Sequence, residues 1–175
     1  ILLFNNQIYG LTKGQYSPTS EIGKVTKSTP MGSLDYPFNP VSLALGAEAT
    51  FVARTVDSDR KHLTEVLSAA AAHEGAALVE IYQNCNIFND GAFEPLKEAG
   101  IRDEHLIRLE AGQPIRFGAD GHRGVVRARD GQVQVVEVAD VDESDLIVHN
   151  PGANDPGVAF ALSRLVDPDT LDKTA

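Results

Sequence analysis

The chain has 175 residues, of which 42% are hydrophobic and 23% charged, and a formal net charge of -10, the profile of a globular protein with a sizeable core. An acidic balance of this size argues against nucleic acid or an anionic membrane as a general partner, and no apolar run approaches the ~20 residues needed to cross a bilayer. A single cysteine, Cys85, excludes an internal disulfide framework and leads us to expect a reducing, cytoplasmic setting.

Ile1 to Phe4 is a continuous apolar run, expected as a strand buried on both faces. No basic segment precedes it, so no signal peptide is expected. Because the chain opens inside this strand, we expect a piece of a longer polypeptide. A polar loop with glycines follows, Asn5 to Gln15, and then Tyr16 to Pro40, rich in Ser, Thr, Pro, Gly and Lys and without periodicity. Loops of that length are often functional. Pro40 to Leu45 is expected as a short helix with proline in its first turn, and Ala49 to Ala53 as a second strand. Asp59 is a candidate N-cap for a helix through His73, with Leu63, Val66, Leu67, Ala70 and Ala71 on one face and Gly75 to end it. Ala77 to Tyr82 reads as a third, buried strand, followed by the loop Gln83 to Gly91.

This order of strands and helices predicts an α/β fold with a mainly parallel sheet flanked by helices. Ligands of such sheets sit beyond the carboxyl ends of the strands, where the loops after Phe4 and Tyr82 both fall. In the last third, Gly124 to Arg129 and Gln132 to Val138 flank Asp130-Gly131, a hairpin signal. Asp155 and Pro156 read as N-cap and first residue of a helix over Val158 to Val166. We expect residues 1–110 to be the main α/β domain and 111–175 a C-terminal extension with a β-hairpin and a helix.

Magnesium takes near-octahedral oxygen ligands, often phosphate oxygens plus a few protein groups. The side-chain amide of Asn6 and the backbone carbonyl of Ile8 are suitable donors. Gly10 and Gly14 would let the backbone approach a diphosphate, Thr12 offers a hydroxyl and Lys13 a positive charge. On spacing alone a second reading stands beside this one: a polar surface loop whose Asn and Gly residues serve turn geometry. Cys85, in Gln83-Asn84-Cys85-Asn86, is a candidate iron–sulfur ligand, but a cluster takes about four cysteines, and a buried free thiol fits these residues too. None of the five histidines forms a Cys-His motif. Gly121-His122-Arg123-Gly124 and His149-Asn150 read as turn chemistry. Asp140, Asp142, Glu143 and Asp145 have no metal-loop spacing and read as a solvated connection.

Three blocks carry a resemblance. Asn5-Asn6-Gln7-Ile8-Tyr9-Gly10-Leu11-Thr12-Lys13-Gly14-Gln15-Tyr16-Ser17-Pro18-Thr19-Ser20, then Ser33-Leu34-Asp35-Tyr36-Pro37-Phe38-Asn39-Pro40, then Ile81-Tyr82-Gln83-Asn84-Cys85-Asn86-Ile87-Phe88-Asn89-Asp90 resemble the beta subunits of 2-oxoacid:ferredoxin oxidoreductases, those of 2-oxoglutarate type above all. Weaker similarity continues through Phe160 to Leu165. The resemblance implies a thiamine diphosphate-binding fold and oxidative decarboxylation of a 2-oxoacid to an acyl-CoA and CO₂, with electrons passed through a [4Fe–4S] cluster to ferredoxin. It implies Asn6 as side-chain ligand and Ile8 as carbonyl ligand of Mg²⁺, and Gly10, Leu11 and Thr12 beside the diphosphate and thiazolium. Lys13 would face the substrate carboxylate, and Cys85 would be the last of four cluster ligands, the other three outside this chain. A Gly-Asp-Gly half of the cofactor motif would also lie outside it, and an alpha subunit would be the partner. Pyruvate or a broader set of 2-oxoacids is an alternative substrate class. A non-catalytic α/β ligand-binding or scaffold module is an alternative of another kind.

Overall fold

The computed structural model describes residues 1–165. They form two compact units, Ile1–Glu94 and a second from Pro95 onward.

The first unit is built on a three-stranded parallel sheet of order β1-β3-β2, with β1 Leu2–Asn5, β2 Phe51–Val56 and β3 Ala77–Tyr82. Leu2 pairs with Val79 and Asn5 with Tyr82, while Phe51 pairs with Ala77 and Val56 with Tyr82. The three strands therefore end level, and the loops after β1 and β3 leave the sheet side by side.

Alternation along β3 divides its side chains between two faces. Val79 and Ile81, 0% and 1% exposed, form the core with Thr55 of β2. Helix α2, Arg60–Ala72, covers that face, and its His62 ring meets the Thr55 hydroxyl at 2.9 Å. Asp59 caps α2 as its sequence position predicts, accepting from the His62 N–H at 3.2 Å. Leu63, Val66, Leu67 and Ala70 are half-buried as the face predicts, but Ala71 is exposed. Gly75 does not end the helix, which is closed by His73 in extended backbone. Its role is close approach: a Cβ there would stand 2.3 Å from Thr50 Oγ1, where β2 begins.

The other face carries α1, Pro40–Gly46, whose N-cap Asn39 accepts from the Ser42 N–H at 3.0 Å. An apolar cleft of about 370 Å³ lies between α1 and the sheet, bordered by Leu3, Leu43, Ala44 and Leu78. It opens near Ile1 and Ala77, at the amino ends of the strands, far from the loops after β1 and β3.

Two strand expectations need correction. β1 is not buried on both faces: Leu2 and Phe4 are 53% and 60% exposed, because β1 is an edge strand and α2 packs over β2 and β3. β2 begins at Phe51 and continues to Val56, past the charged Arg54 that marks the end of the apolar run. The strand tolerates this charge because Arg54 pairs with Glu80 of β3.

The second unit holds an antiparallel sheet, β4 Arg116–Phe117, β5 Arg123–Arg127 and β6 Val133–Glu137, in that order. The hairpin turn is wider than Asp130-Gly131 alone: Ala128 N–H donates to the Gln132 carbonyl at 2.8 Å, and Gly131 takes φ +85°. Val125, Val126, Ile115 and Leu146 form its core. Helix α3, Arg102–His105, is a single turn, and α4, Gly157–Ser163, packs on β6. Asp155 Oδ1 accepts from the Gly157 N–H at 2.8 Å, but Pro156 is the capping position and the helix is shorter than expected. Val166, its expected last residue, lies outside the described residues.

Candidate functional site

The loop after β1 turns twice on its own asparagines. Asn5 Oδ1 accepts from the Gln7 N–H at 3.1 Å and Asn6 Oδ1 from the Ile8 N–H at 3.3 Å, the Asx geometry that lets short amides reverse a chain. Gln7 sits at φ +54° between them, and Ile8 anchors the turn as a core residue, 4% exposed. Beyond it the chain closes a tight hairpin: the Tyr9 N–H donates to the Gln15 carbonyl and the Gly14 N–H to the Tyr9 carbonyl, both at 2.9 Å.

The following segment braces this turn. Thr19 Oγ1 donates to Asn5 Oδ1 at 2.7 Å, Ser20 Oγ donates to the Gln7 carbonyl, and the Ser17 N–H donates to Ser20 Oγ at 2.9 Å. Ser17, Ser20 and Ser33 are buried, and the long stretch to Pro40 is ordered by backbone turn bonds together with hydroxyl–backbone bonds rather than by helix or strand.

Below the turn, Asn5 Nδ2 donates to Glu80 Oε1 at 2.7 Å, and Arg54 Nε donates to Glu80 Oε2 at 2.7 Å. Glu80 is 0% exposed, and a buried carboxylate is tolerated only when paired and hydrogen-bonded. Arg54 also lies over the Tyr82 ring at 5.1 Å, and Tyr82 stacks on Phe93 at 4.6 Å. Burial, before any charge, holds the Tyr82 phenol above its ordinary pKa.

The loop after β3 closes on itself. The Asn89 N–H donates to the Cys85 carbonyl at 2.9 Å, and Asn84 bonds Asp90 and the Gly91 N–H. Cys85 is a half-buried free thiol. Its Sγ lies 3.9 Å from where a Cβ on Gly10 would stand, so the two loops are in contact range. Gly10 has room for such a Cβ, whereas Gly14 does not: at φ +94°, its Cβ would lie 2.8 Å from Phe88 Cδ1.

The structure thus brings Asn6, Ile8, Gly10 and Cys85 together at the carboxyl ends of adjacent strands. Leu11, Thr12 and Lys13 stand at the exposed tip of the hairpin. Leu11 is 99% exposed, Thr12 Oγ1 reaches only the Tyr9 carbonyl, at 3.5 Å, and Lys13 takes φ +72°. The fit to a Mg²⁺-diphosphate group rests on the acceptors left over. The Ile8 carbonyl accepts no hydrogen bond among the described residues, and Gln15 Oε1 is buried without a partner. Neutral oxygens of this kind suit Mg²⁺ that takes most of its charge balance from phosphate. No three His, Cys, Asp or Glu residues gather to hold a metal among the described residues, so Cys85 has no co-ligands there for a cluster.

The other sequence candidates belong to the second unit. In the second unit, His122 and Arg123 approach Glu104 at 3.7 and 3.9 Å, and Glu143 pairs with Arg116 at 2.7 Å. Glu80, Asn89 and Thr19 are the framing residues that sequence reading passed over. A lone acid inside an apolar strand was the available signal for Glu80.

Comparison with known proteins now defines the class. Residues 1–81 match the family described as thiamine pyrophosphate enzyme, C-terminal TPP binding domain. The chain is 64% identical over 174 residues to the 2-oxoglutarate oxidoreductase subunit KorB of Mycobacterium tuberculosis, covering 99% of this chain and 46% of that subunit. It is 44% identical over 110 residues to the beta subunit of 2-oxoacid:ferredoxin oxidoreductase 1 of Aeropyrum pernix, covering 63% and 33%. Among solved structures, a 2-oxoglutarate:ferredoxin oxidoreductase from Magnetococcus marinus with 2-oxoglutarate, coenzyme A and succinyl-CoA bound matches with a TM-score of 0.50 and 42% identity, over 51% of this chain and 31% of that one. Over nearly its whole length the chain is similar to the beta subunits of 2-oxoacid:ferredoxin oxidoreductases. It spans less than half the length of each of these relatives.

Proposed function

We propose that the chain is part of the beta subunit of a 2-oxoglutarate:ferredoxin oxidoreductase, located in the cytoplasm, and that its first unit holds the Mg²⁺-diphosphate end of thiamine diphosphate. The observation that carries this reading is the pairing of two loops at the carboxyl ends of β1 and β3, one offering Asn6 and the unbonded Ile8 carbonyl, the other Cys85.

In this reading Asn6 Oδ1 and the Ile8 carbonyl ligate Mg²⁺. The hairpin at Gly10, Leu11 and Thr12 lies along the diphosphate and the thiazolium, and Lys13 offers its ammonium to the substrate carboxylate. Thiamine diphosphate, when bound, supplies the electron sink for loss of CO₂ from a 2-oxoacid. The chain's own work is to orient that group and balance its charge. Cys85 supplies one thiolate to a [4Fe–4S] cluster whose other three cysteines come from outside these 175 residues. An alpha subunit, coenzyme A and ferredoxin complete the reaction.

The test is thiamine diphosphate binding to the full-length subunit, measured by equilibrium dialysis with Mg²⁺ present. Asn6→Ala is expected to abolish it, and unchanged affinity in that variant overturns the cofactor assignment. Turnover with 2-oxoglutarate and pyruvate then checks the substrate, 2-oxoglutarate being expected to give the higher kcat/KM.

A further inference from the structure

One side chain joins three segments around the candidate site. Asn89 lies in the turn after Cys85 and is 6% exposed. Its Nδ2 donates to the Asn6 carbonyl at 2.9 Å across 83 positions of sequence. Its Oδ1 accepts from Lys24 Nζ, which is itself paired with Glu21 at 2.9 Å. Its backbone N–H donates to the Cys85 carbonyl at 2.9 Å.

The sheet does not demand this contact. Strand pairing ends at Asn5 and Tyr82, and beyond it the Asn89–Asn6 bond is the side-chain hydrogen bond that ties one loop to the other among the described residues. Its acceptor is the carbonyl of Asn6 itself, whose side chain carries the Asx turn to Ile8. Holding that peptide plane fixes both where Asn6 Oδ1 points and how the Ile8 carbonyl follows it. Loss of a group that orients a metal ligand from behind typically costs about 10- to 100-fold in metal affinity.

We infer that Asn89 is a positioning residue for the Mg²⁺-diphosphate site, acting through the Asn6 peptide from the turn that carries Cys85. The inference rests on the cofactor reading above. Lys24 is its counterpart on the far side, holding the amide so that its N–H faces Asn6.

The experiment uses the full-length beta subunit assembled with its alpha partner and titrates Mg²⁺ at fixed thiamine diphosphate, reading bound cofactor directly. Asn89→Asp keeps the side-chain volume and the acceptor for Lys24 but replaces the donor to Asn6 with an oxygen. The Mg²⁺ concentration for half-saturation is expected to rise about 10- to 100-fold, with iron and sulfide content unchanged. Lys24→Met, which leaves the Asn89–Asn6 bond but removes its holder, is expected to shift the midpoint in the same direction by a smaller factor. A purely structural Asn89 would lower the melting temperature of the variant and leave the Mg²⁺ midpoint of the folded protein in place. That result, or a wild-type midpoint in Asn89→Asp, overturns the inference. Asn6→Ala, run in parallel, separates the two readings. If it binds cofactor normally, the site assignment fails. If it loses cofactor while Asn89→Asp titrates as wild type, only the role of Asn89 fails.

Discussion

Glu80 is the most exacting test of how the site is built. Its carboxylate is fully buried on the central strand and holds Asn5 on one oxygen and Arg54 on the other, each at 2.7 Å. Glu80→Gln keeps the shape but turns one acceptor into a donor, so either the Asn5 amide or the Arg54 guanidinium meets a donor instead. A hydrogen bond to a charged group contributes about 1.5–3 kcal/mol. The Arg54 side chain is 36% exposed and recovers part of its loss from water, which puts the expected cost near 2 kcal/mol. Glu80→Ala removes both bonds and is expected to cost about 4 kcal/mol, within the range for a broken buried ion pair. With a urea m-value of about 2 kcal/mol/M, the glutamine variant should lower the unfolding midpoint of the full-length subunit by about 1 M. The diagnostic step is a sign change. Arg54→Met alone strands the buried carboxylate, so adding Glu80→Gln to it should raise stability rather than lower it further. Simple additivity of the two substitutions, or a glutamine variant as stable as wild type, refutes the view that this buried charge is held by its two partners.

Gly14→Ala forces a Cβ to 2.8 Å from Phe88 at φ +94°. It should weaken thiamine diphosphate binding by about tenfold, a strain of roughly 1–3 kcal/mol, and dialysis of the variant measures it. Ile81→Ala empties a fully enclosed position of the parallel sheet, 1% exposed, and is expected to destabilise by about 2–5 kcal/mol in chemical denaturation. His149 has its pKa lowered by burial, so the unfolded chain binds a proton that the folded one resists. Stability is therefore full above the ordinary histidine pKa and is lost as pH falls below about 6.5. Melting curves at stepped pH should show that slope, and His149→Gln should flatten it.

Much of the first unit is legible in the sequence because its signals are local. Asp59 before an amphipathic stretch predicts α2 with the cap that the structure shows, and Pro40 predicts the first turn of α1. The candidate loop after β1 can be picked out in the sequence because its residues are contiguous. What the sequence hides is pairing at a distance. Glu80 reads as an interruption of an apolar strand until Asn5, 75 positions away, and Arg54 are found against it. Asn89 reads as one more loop asparagine until it is seen on the Asn6 carbonyl. The exposure of Leu2 and Phe4 is also a question of neighbours, since the same apolar run is buried in a central strand and open at an edge. β4, at two residues, is too short for any periodicity.

The strand order decides whether the two loops form one site. Neighbouring strands lie about 4.8 Å apart. In the order β1-β2-β3, Asn6 and Cys85 would emerge two spacings apart, about 10 Å, with the loop after β2 between them. The observed order places β3 against β1 and sends β2 to the far side. The helical crossover from β2 to β3 makes this placement available without lengthening any loop, because parallel strands are joined over the face of the sheet rather than at its end. The consequence is a site in which Cys85 Sγ comes to the edge of Gly10 and the Asn89 amide reaches the peptide of Asn6. Equal strand ends matter as much as adjacency: Asn5 and Tyr82 are register partners, so each loop turns away at the same height. A one-residue slip of β1 against β3 would move Asn6 by about 3.3 Å along the strand and turn Asn5 to the opposite face. Glu80 would lose its partner, and the turn that aims Asn6 would lose its anchor. The buried Asn5–Glu80 bond thus ties the loop after β1 to a single register of the sheet.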